Sequence, residues 1–580
     1  MATTSPNLLF LLHDVACCVA DQPKRDGTRV CGSKEPPVKP SIQTTMRCAV
    51  AVAAATGLTA FPAAQATQNA QAEHRSAMVR AAHLERMTIP DIQQAMDRGK
   101  FTSQQLTSLY LKRIHALNPR LGAVVTVNPD AKAIARASDQ RRRVHAARGP
   151  LEGIPVLLKE NMNTADRQPT TAGSAALLGA QPTRDAEVVR RLRTAGAVIL
   201  GKANMTEWAN FRDPYAVAGW SAVGGLTRNP YVLDRSPGGS SSGSAAAAAA
   251  NLATVTLGTD TGGSIVDPAG LTSTVGVRPT LGVASRTGIV PISSRHDTPG
   301  PLARNVTDAA ITLSAISGTD PADPDTGAGG VLPADIGSVL DANILRGKRI
   351  GVWRAGHTGV DRDVDRVFEA TIRKLEQLGA IVVEGADVIE PKDLIGHLLP
   401  ALLSEFKHDI NAYLAATPGS HPKNLARLIK YNDEHRAVER MDWFGQMYFT
   451  EAQKNGVDLE DPAYRAHRAT ATELARRSID DPLEAHKLDA IVTPTTLPAP
   501  PVDHQGEEGG TNTFVSTTNS SVAAGYPQIS VPAGYTAKGL PLGVTFLGTK
   551  ASDASLLGYA YAFEQATQVR KLPRYLPGVG

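Results

Sequence analysis

The sequence predicts an α/β protein with a mixed, largely parallel central sheet, helices on both faces and a helical cap region. Helix and strand patterns alternate through most of the chain, as where the helical pattern of residues 185–194 precedes the strand pattern of residues 197–200. Residues 387–486 are instead mostly helical by pattern and less regular, which is typical of a cap over a site.

Composition places the chain among globular proteins with a large core. Its 580 residues are 42% hydrophobic and 20% charged, with a formal net charge of +4. That charge is too small for this length to predict a nucleic-acid or membrane partner. We therefore expect a small-molecule or short peptide substrate. We also expect the protein to be a monomer.

The N-terminal region resembles a secretion signal. Residues 1–45 lack sustained periodicity and precede a second methionine, so we expect an unstructured extension or a misassigned start. A short basic start, an apolar run too short to span a bilayer, and the pattern Ala64-Gln65-Ala66 then predict a signal peptide over residues 46–66. An alanine-rich buried helix is the alternative. With residues 67–84 as a linker, the mature protein would be periplasmic or secreted, without a stable membrane anchor.

Cysteine chemistry is excluded from the mature chain. All four cysteines lie before the predicted cleavage point, at Cys17, Cys18, Cys31 and Cys48. Thiol nucleophiles, disulfides and cysteine-ligated metals are therefore absent from residues 67–580. The 14 histidines form no H-E-x-x-H pair. We expect neither a metal nor a cofactor.

The main domain, residues 85–575, begins with elements that local patterns define. Thr102 and Gln105 predict a capping box at the start of a helix with apolar residues at helical spacing. Residues 123–127 form a strand candidate and residues 129–143 a polar surface helix. Residues 153–159 are an apolar run that ends in Lys159. Because a polar cluster follows it rather than a turn, we expect this lysine to be buried.

Later elements repeat the α/β pattern after a junction rich in Pro, Asp and Gly at residues 320–330. Helices are predicted at residues 307–317 and 364–378, and strands at residues 349–353, 381–383, 489–495, 527–532 and 540–547.

Two serines behind glycine pairs stand at the centre of the chain. Ser240 follows Gly238-Gly239, and Ser264 follows Gly262-Gly263. Glycine pairs let backbone N–H groups converge, which a nucleophile beside an oxyanion pocket needs. A flexible linker is the alternative, but a buried helix pattern at residues 245–250 and a strand pattern at residues 253–257 place this stretch within the core. Neither phosphate-binding glycine motif occurs in it.

Three segments in order and spacing carry a resemblance to a known family. They are residues 153–159, the Gly-Gly-Ser-Ser-Ser-Gly-Ser run at 238–244, and Gly-Thr-Asp-Thr-Gly-Gly-Ser-Ile at 258–265. They resemble the signature of the amidase signature family, and the likeness continues through residues 297–304 and 529–534, covering most of residues 85–570. It implies the α/β amidase-signature fold.

The resemblance implies a catalytic triad. Lys159 would be the base, Ser240 the bridging serine after a cis bond from Gly239, and Ser264 the nucleophile. The oxyanion hole would be built from the backbone N–H groups of Thr261, Gly262, Gly263 and Ser264. No histidine stands near these motifs in the sequence, so the base must be a lysine that burial keeps neutral near pH 7.

Three shorter segments narrow the expected substrate class within the family. Residues 207–212, 237–244 and 264–266 are most similar to bacterial peptide amidases, which remove the C-terminal amide of peptides. We therefore expect a serine amidohydrolase that releases ammonia from C-terminal peptide amides through an acyl-serine intermediate. The alternatives are a broad aliphatic or aryl amidase, an amidotransferase A-type subunit, which the export signal disfavours, and a non-catalytic binding protein, which the complete triad disfavours.

One departure from the family concerns the residues after the nucleophile. Many members follow Ser-Ile with arginine, whereas this chain has Val266 and then Asp267. Asp267 is a candidate for contact with substrate. The alternative is a carboxylate that stabilises the dipole at a helix N-terminus.

The signal-peptide hypothesis predicts that the exported protein begins at Thr67. Cleavage after Ala66 follows from the small residues at the cleavage pattern. Sequencing the N-terminus of protein recovered from the periplasm or the medium checks this. An intact Met1 on that material would contradict both the signal and the compartment.

Overall fold

An eleven-stranded mixed sheet runs through the protein. The computed structural model describes residues 84–327, 332–333, 335–502 and 519–579. The predicted extension, signal peptide and linker (residues 1–45, 46–66 and 67–84) lie outside these residues, except for Leu84. In spatial order the strands are β1 (Val124–Val127), β3 (Val198–Ala203), β2 (Pro155–Lys159), β6 (Val255–Asp260), β8 (Thr298–Ala303), β7 (Val275–Arg278), β12 (Gln528–Tyr535), β13 (Pro541–Leu547), β11 (Ala490–Pro494), β9 (Arg349–Val352) and β10 (Ile381–Val383).

The predicted α/β class with a mixed sheet is confirmed, although parallel pairing is less extensive than expected. Strands β3, β2 and β6 pair in parallel, as do β11, β9 and β10. The other pairings of this sheet are antiparallel. A short turn joins β12 to β13, and such a connection allows only antiparallel neighbours. A separate two-stranded sheet is formed by β4 (Trp220–Ser221) and β5 (Gly225–Leu226).

Helices cover both faces of the sheet. Those before the cap region are α1 (Ile89–Asp97), α2 (Ser103–Leu121), α3 (Ala131–Arg143), α4 (Glu187–Thr194), α5 (Ser242–Ala249), α6 (Val266–Thr272), α7 (Val306–Ile316) and α8 (Arg362–Gln377). Helices α13 (Asn519–Ala524) and α14 (Asp553–Thr567) follow it. On one face α5 and α6 contact each other and the sheet; on the other, α7 and α8 each contact α14. Strand β12 is sandwiched between them, with Ile529 and Val531 in the same apolar cluster as Phe368 of α8 and Phe563 of α14.

The predicted capping box at the start of α2 is confirmed. Thr102 Oγ1 accepts a hydrogen bond from the Gln105 backbone N–H at 3.1 Å, and Gln105 Oε1 accepts one from the Thr102 N–H at 2.9 Å. Two orphan donors of the first turn are thereby satisfied within the helix itself. The signal was fully local, which is why the sequence alone was sufficient to find it.

The region predicted as a cap, residues 387–486, contains four helices: α9 (Leu394–Ala416), α10 (Leu425–Glu434), α11 (Met447–Asn455) and α12 (Pro462–Ala485). They rest on the loop after β3 through aromatic rings. The Phe449 ring lies 5.6 Å from that of Trp208, and the Phe406 ring 4.9 Å from that of Phe211. All four residues belong to one buried hydrophobic cluster, so the cap region packs against the sheet domain through an apolar interface.

No described helix combines the length and the apolar composition needed to cross a membrane. Nor do the described ranges bring together three or more His, Cys, Asp or Glu residues in a group that could hold a metal ion.

Helix α5 approaches the end of β3 so closely that one position requires glycine. The Gly243 N–H donates to the Asn204 carbonyl at 3.0 Å. A Cβ atom at Gly243 would lie 2.4 Å from the Ala123 carbonyl oxygen and 2.5 Å from the Asn204 backbone nitrogen and oxygen. These are main-chain atoms and cannot yield by a rotamer change. The contact fixes the start of α5, and with it Ser240 three residues earlier.

The two changes Gly243→Ala and Gly396→Ala should therefore have opposite effects on stability. Gly396 lies exposed in α9 with no atom within 4 Å of its Cβ position, so alanine there raises helix propensity. We expect Gly243→Ala to lower the free energy of unfolding by about 3 kcal/mol or more, and Gly396→Ala to raise it by about 0.5–1 kcal/mol. Thermal and urea unfolding of the two variants measure this. Equal effects would contradict the packing argument.

Candidate active site

Lys159 lies at the carboxyl end of β2, in the interior of the protein. Its side chain is fully buried, as the polar cluster after it predicts. The Nζ atom lies 2.8 Å from Ser240 Oγ and donates to the Thr259 carbonyl at 3.1 Å. Because β2 and β6 are parallel neighbours, their carboxyl ends meet, and the loop after β6 begins beside this amine.

Burial determines the protonation of this lysine. Desolvation lowers the pKa of Lys159 to about 7, against the opposing influence of Asp260 and Asp297, whose charges raise it. A large fraction of the amine is therefore neutral near pH 7. A neutral amine has a free electron pair, so the Lys159 nitrogen can accept a proton from the hydroxyl 2.8 Å away.

Ser240 is fixed by its backbone. The Gly239–Ser240 peptide bond is cis, as the family resemblance implied. The Ser240 carbonyl accepts a hydrogen bond from the Thr206 N–H at 3.0 Å, and the Thr206 hydroxyl in turn accepts one from the Gly219 N–H at 2.8 Å. The loop after β3 therefore holds the backbone of Ser240 in place.

Ser264 is brought close to Ser240 through the main chain. The Ser264 carbonyl accepts a hydrogen bond from the N–H of Ser241, the residue after Ser240, at 3.2 Å. The side chain of Ser264 is 7% exposed, and its Oγ has no hydrogen-bond partner among the described residues. The structure therefore joins Lys159 to Ser240 directly and places Ser264 beside them with a free hydroxyl.

The glycine loop before Ser264 is organised by Asp260. Its carboxylate accepts hydrogen bonds from the N–H groups of Gly263 at 2.9 Å and Ile265 at 2.7 Å. Arg278, fully buried at the end of β7, donates to both the carboxylate and the carbonyl of Asp260 at 2.9 Å. The Asp260–Arg278 ion pair thereby restricts the conformation of the glycine loop.

This arrangement corrects the predicted oxyanion hole at one position. The Gly263 N–H is engaged by Asp260, so it is not free to bind an oxyanion. The N–H groups of Thr261, Gly262 and Ser264 have no acceptor in the described part of the chain. Gly262 is exposed, and no atom lies within 4 Å of its Cβ position. The loop therefore faces open space at Gly262, next to the free hydroxyl of Ser264.

Thr261 is fastened to the loop before β8. Its hydroxyl donates to Asp297 Oδ1 at 2.6 Å, while Asp297 Oδ2 accepts from the N–H groups of Ile292 at 2.8 Å and Ser293 at 3.1 Å. Burial raises the pKa of Asp297 to about 6, with these hydrogen bonds acting against the rise. The carboxylate therefore stays largely ionised at neutral pH and continues to accept these hydrogen bonds.

A histidine does stand at this site, contrary to the sequence expectation. His296 is 1% exposed, and its Nε2 lies 2.8 Å from Nη1 of Arg468 on α12. Burial, with Arg468 and Arg278 nearby, lowers the pKa of His296 well below 6.5, so the imidazole is neutral. The available signal was its position immediately before the Asp297 motif.

Asp267 lies in the first turn of α6 but is not a solvent-facing dipole carboxylate. It is 7% exposed, and its Oδ1 is buried without a hydrogen-bond partner in the described residues. Burial and the neighbouring Asp260 raise the pKa of Asp267 well above 3.8. The Asp267 N–H bonds the Gly263 carbonyl in a helical turn, so residues 264 and 267 share one face of that turn.

Sequence patterns did not predict the roles of two residues of the site. Asp260 was recognised only as part of the glycine motif, and Arg278 was not recognised at all. Each is a lone charged residue that ends an apolar strand, which is the same signal that identified Lys159. Their pairing could not be inferred, because β6 and β7 are separated in the sheet by β8.

Comparison with known proteins identifies the family of this chain. A family model described as Amidase matches residues 105–557. A probable amidase of Arabidopsis thaliana is 41% identical over 505 residues, which are 85% of this chain and 92% of the relative. The native peptide amidase of Stenotrophomonas maltophilia is 44% identical, with a TM-score of 0.80 over 84% of this chain and 99% of that chain.

A more distant relative carries a different name. It is the A-type subunit of the glutamyl-tRNA(Gln) amidotransferase of Salinispora arenicola, 36% identical over 422 residues, covering 69% of this chain and 80% of the relative. The family model spans most of the described chain. The chain therefore belongs to the amidase signature family of amide hydrolases.

Proposed function

We propose that the protein hydrolyses the C-terminal amide of short peptides through an acyl-serine intermediate. Ser264 is the nucleophile, Ser240 relays its proton and Lys159 is the base. The observation that carries this proposal is the 2.8 Å contact between Ser240 Oγ and a fully buried lysine amine, beside a glycine loop that ends in a free serine hydroxyl. The 44% identity to a peptide amidase over nearly its whole length supports the substrate class.

The reaction follows from the proton positions. Neutral Lys159 takes the proton of Ser240, which takes that of Ser264, as the Ser264 oxygen bonds to the amide carbon. The negative oxygen that develops faces the free N–H groups of the loop, of which a single donor contributes about 10²–10³ in rate. Protonated Lys159 returns its proton through Ser240 to the departing nitrogen. The C–N bond breaks, ammonia leaves, and water then hydrolyses the acyl-serine by the same route.

The surroundings of the nucleophile favour a neutral substrate terminus. Val266 supplies no cation after Ser264-Ile265, and Asp267 offers a buried carboxyl without a partner in the described residues. A substrate with a free carboxylate beside the scissile bond would therefore gain no ion pair from this turn. A broad amidase remains the alternative within the family, and the likeness to the amidotransferase relative is weaker, at 36% identity.

Lys159→Met should remove nearly all activity and abolish the pH dependence of what remains near neutrality. In the parent enzyme the base must be unprotonated, so kcat/KM should rise with pH through about 7 and level off above it. We expect Ser264→Ala to lower kcat by more than ~10³-fold and Lys159→Met by about 10²–10⁴-fold. Ammonia release from a dipeptide amide between pH 5 and 9 measures both.

Lys202 offers a matched control for Lys159. It is buried on the adjacent strand β3, but its amine donates to the Met162 carbonyl and the Thr170 hydroxyl. Lys202→Met should therefore lower the melting temperature while the folded fraction keeps its kcat. Full activity in Ser264→Ala, or a pH profile unchanged by Lys159→Met, would refute the mechanism.

Substrate preference separates a peptide amidase from a broad amidase. A primary amide releases ammonia, whereas an internal peptide bond must accommodate a bulky amine. We expect kcat/KM for a dipeptide amide to exceed that for the tripeptide sharing its first two residues by roughly 30- to 1,000-fold. The same assay includes a small aliphatic amide. Equal values for all three substrates would leave only a broad amidase.

A further inference from the structure

We infer that Thr261 is a positioning residue, because the bond from its hydroxyl to Asp297 aims its own backbone N–H at the oxyanion. The inference deepens the proposed function and rests on it, since an oxyanion forms only if Ser264 attacks the amide carbon. Two observations on the glycine loop support it. The hydroxyl of Thr261 is bound, whereas its backbone N–H has no acceptor among the described residues.

The strand register places Thr261 opposite Asp297. Strands β6 and β8 are antiparallel, and the pair at this end of their ladder is Asp260 with Thr298. Thr261 follows this pair on one strand and Asp297 precedes it on the other, so the two are the next facing residues. The Thr261 hydroxyl donates to Asp297 Oδ1 at 2.6 Å, within the range of a hydroxyl bound to an ionised carboxylate.

A fixed hydroxyl restrains the backbone of Thr261. Threonine branches at Cβ, so its side chain has few rotamers, and Cβ is bonded to the same Cα atom as the backbone nitrogen. The side chain and the N–H therefore turn together. The bond to Asp297 thus limits the directions in which this N–H can point.

The peptide unit that contains this N–H is held at its other end by Arg278. Its carbonyl is that of Asp260, which accepts a hydrogen bond from Arg278 Nη1 at 2.9 Å. In the described chain only the Gly239–Ser240 bond is cis, so this unit is trans and its C=O and N–H point in opposite directions. The Thr261 N–H therefore points away from the buried Arg278 guanidinium.

Asp297 is a rigid anchor for the threonine. Its Oδ2 accepts from the N–H groups of Ile292 and Ser293 at 2.8 and 3.1 Å, and its own N–H donates to the Ser293 carbonyl at 2.9 Å. The cap region holds the same turn, because Ser293 Oγ donates to Glu405 of α9 at 2.5 Å. Glu405 is fully buried and also accepts from Arg468 of α12. Two cap helices therefore support the turn that fixes Asp297.

Two substitutions of Thr261 test the inference, because they separate the hydroxyl from the shape of the side chain. Valine keeps the branched shape without the hydroxyl, and serine keeps the hydroxyl without the methyl group. We expect Thr261→Val to lower kcat by about 10- to 100-fold with KM changed by less than about threefold. Thr261→Ser should keep kcat within about threefold of the parent. Ammonia release from a dipeptide amide measures both.

Thr256 offers a matched control on the same strand. It is fully buried, and its hydroxyl donates to the carbonyls of Ser244 and Leu302, at 3.0 and 3.2 Å, rather than to a residue beside the glycine loop. Thr256→Val should therefore reduce the melting temperature without reducing the kcat of the folded enzyme. A loss of kcat as large as that in Thr261→Val would count against the role of Thr261.

Inhibitor binding distinguishes positioning from general damage to the site. A dipeptide aldehyde adds to Ser264 and places an oxygen where the oxyanion forms, whereas the peptide acid product does not. In Thr261→Val the inhibition constant of the aldehyde should rise by about 10- to 100-fold, and that of the product should stay unchanged. Thermal unfolding reports whether this variant is folded. If it is not, Thr261→Ala, which lacks the hydroxyl and adds no bulk, takes its place in both measurements.

Failure of this inference and failure of the proposed function give different results. Parent-like kcat in Thr261→Val, equal losses in the valine and serine variants, or equal changes for aldehyde and product would overturn the role of Thr261 while Ser264→Ala stays inactive. Activity retained in Ser264→Ala would instead remove the proposed function itself.

Discussion

The removal of one amine from water is the constraint on which the site depends. In solution a lysine is protonated at neutral pH, and only burial brings the pKa of Lys159 to about 7. The protein achieves this at the end of an interior strand, where the lysine side chain is fully buried. Too much negative charge nearby would restore the proton. The charge of Asp260 is offset by its ion pair with Arg278, and Asp297 accepts three hydrogen bonds from its surroundings.

The buried ion pair between Asp260 and Arg278 is better understood as a positioning device than as a source of stability. Desolvating two charges offsets most of their attraction, so such a pair adds little to the free energy of unfolding. Its geometry nevertheless satisfies the Gly263 and Ile265 N–H groups on either side of Ser264. The loop therefore has little freedom left when substrate arrives, and little reorganisation is needed as charge develops.

Sequence patterns predicted what is local and failed where contacts are distant. The capping box at Thr102 and the burial of Lys159 depend on neighbours a few residues away, and both were found. The engagement of the Gly263 N–H by Asp260 depends on how a five-residue loop curls, which periodicity does not describe. His296 could not be linked to its partner Arg468, because Arg468 belongs to a helix far along the chain. Sequence patterns located the strands but could not give their order in the sheet. That order also determines how many of the strand pairs are parallel.

The order of strands has a consequence for the synthesis of the chain. The strands that carry the lysine and the glycine loop occupy one half of the sheet, which ends at β7. Its neighbour is β12, which follows the cap helices in the chain, and Arg278 of β7 pairs with Gln528 of β12. While the ribosome is still making the cap helices, the first half of the sheet therefore has an open edge, a surface that favours wrong pairing between chains. The half of the sheet that carries the candidate site therefore cannot be closed until β12, which follows the cap helices, has been synthesised.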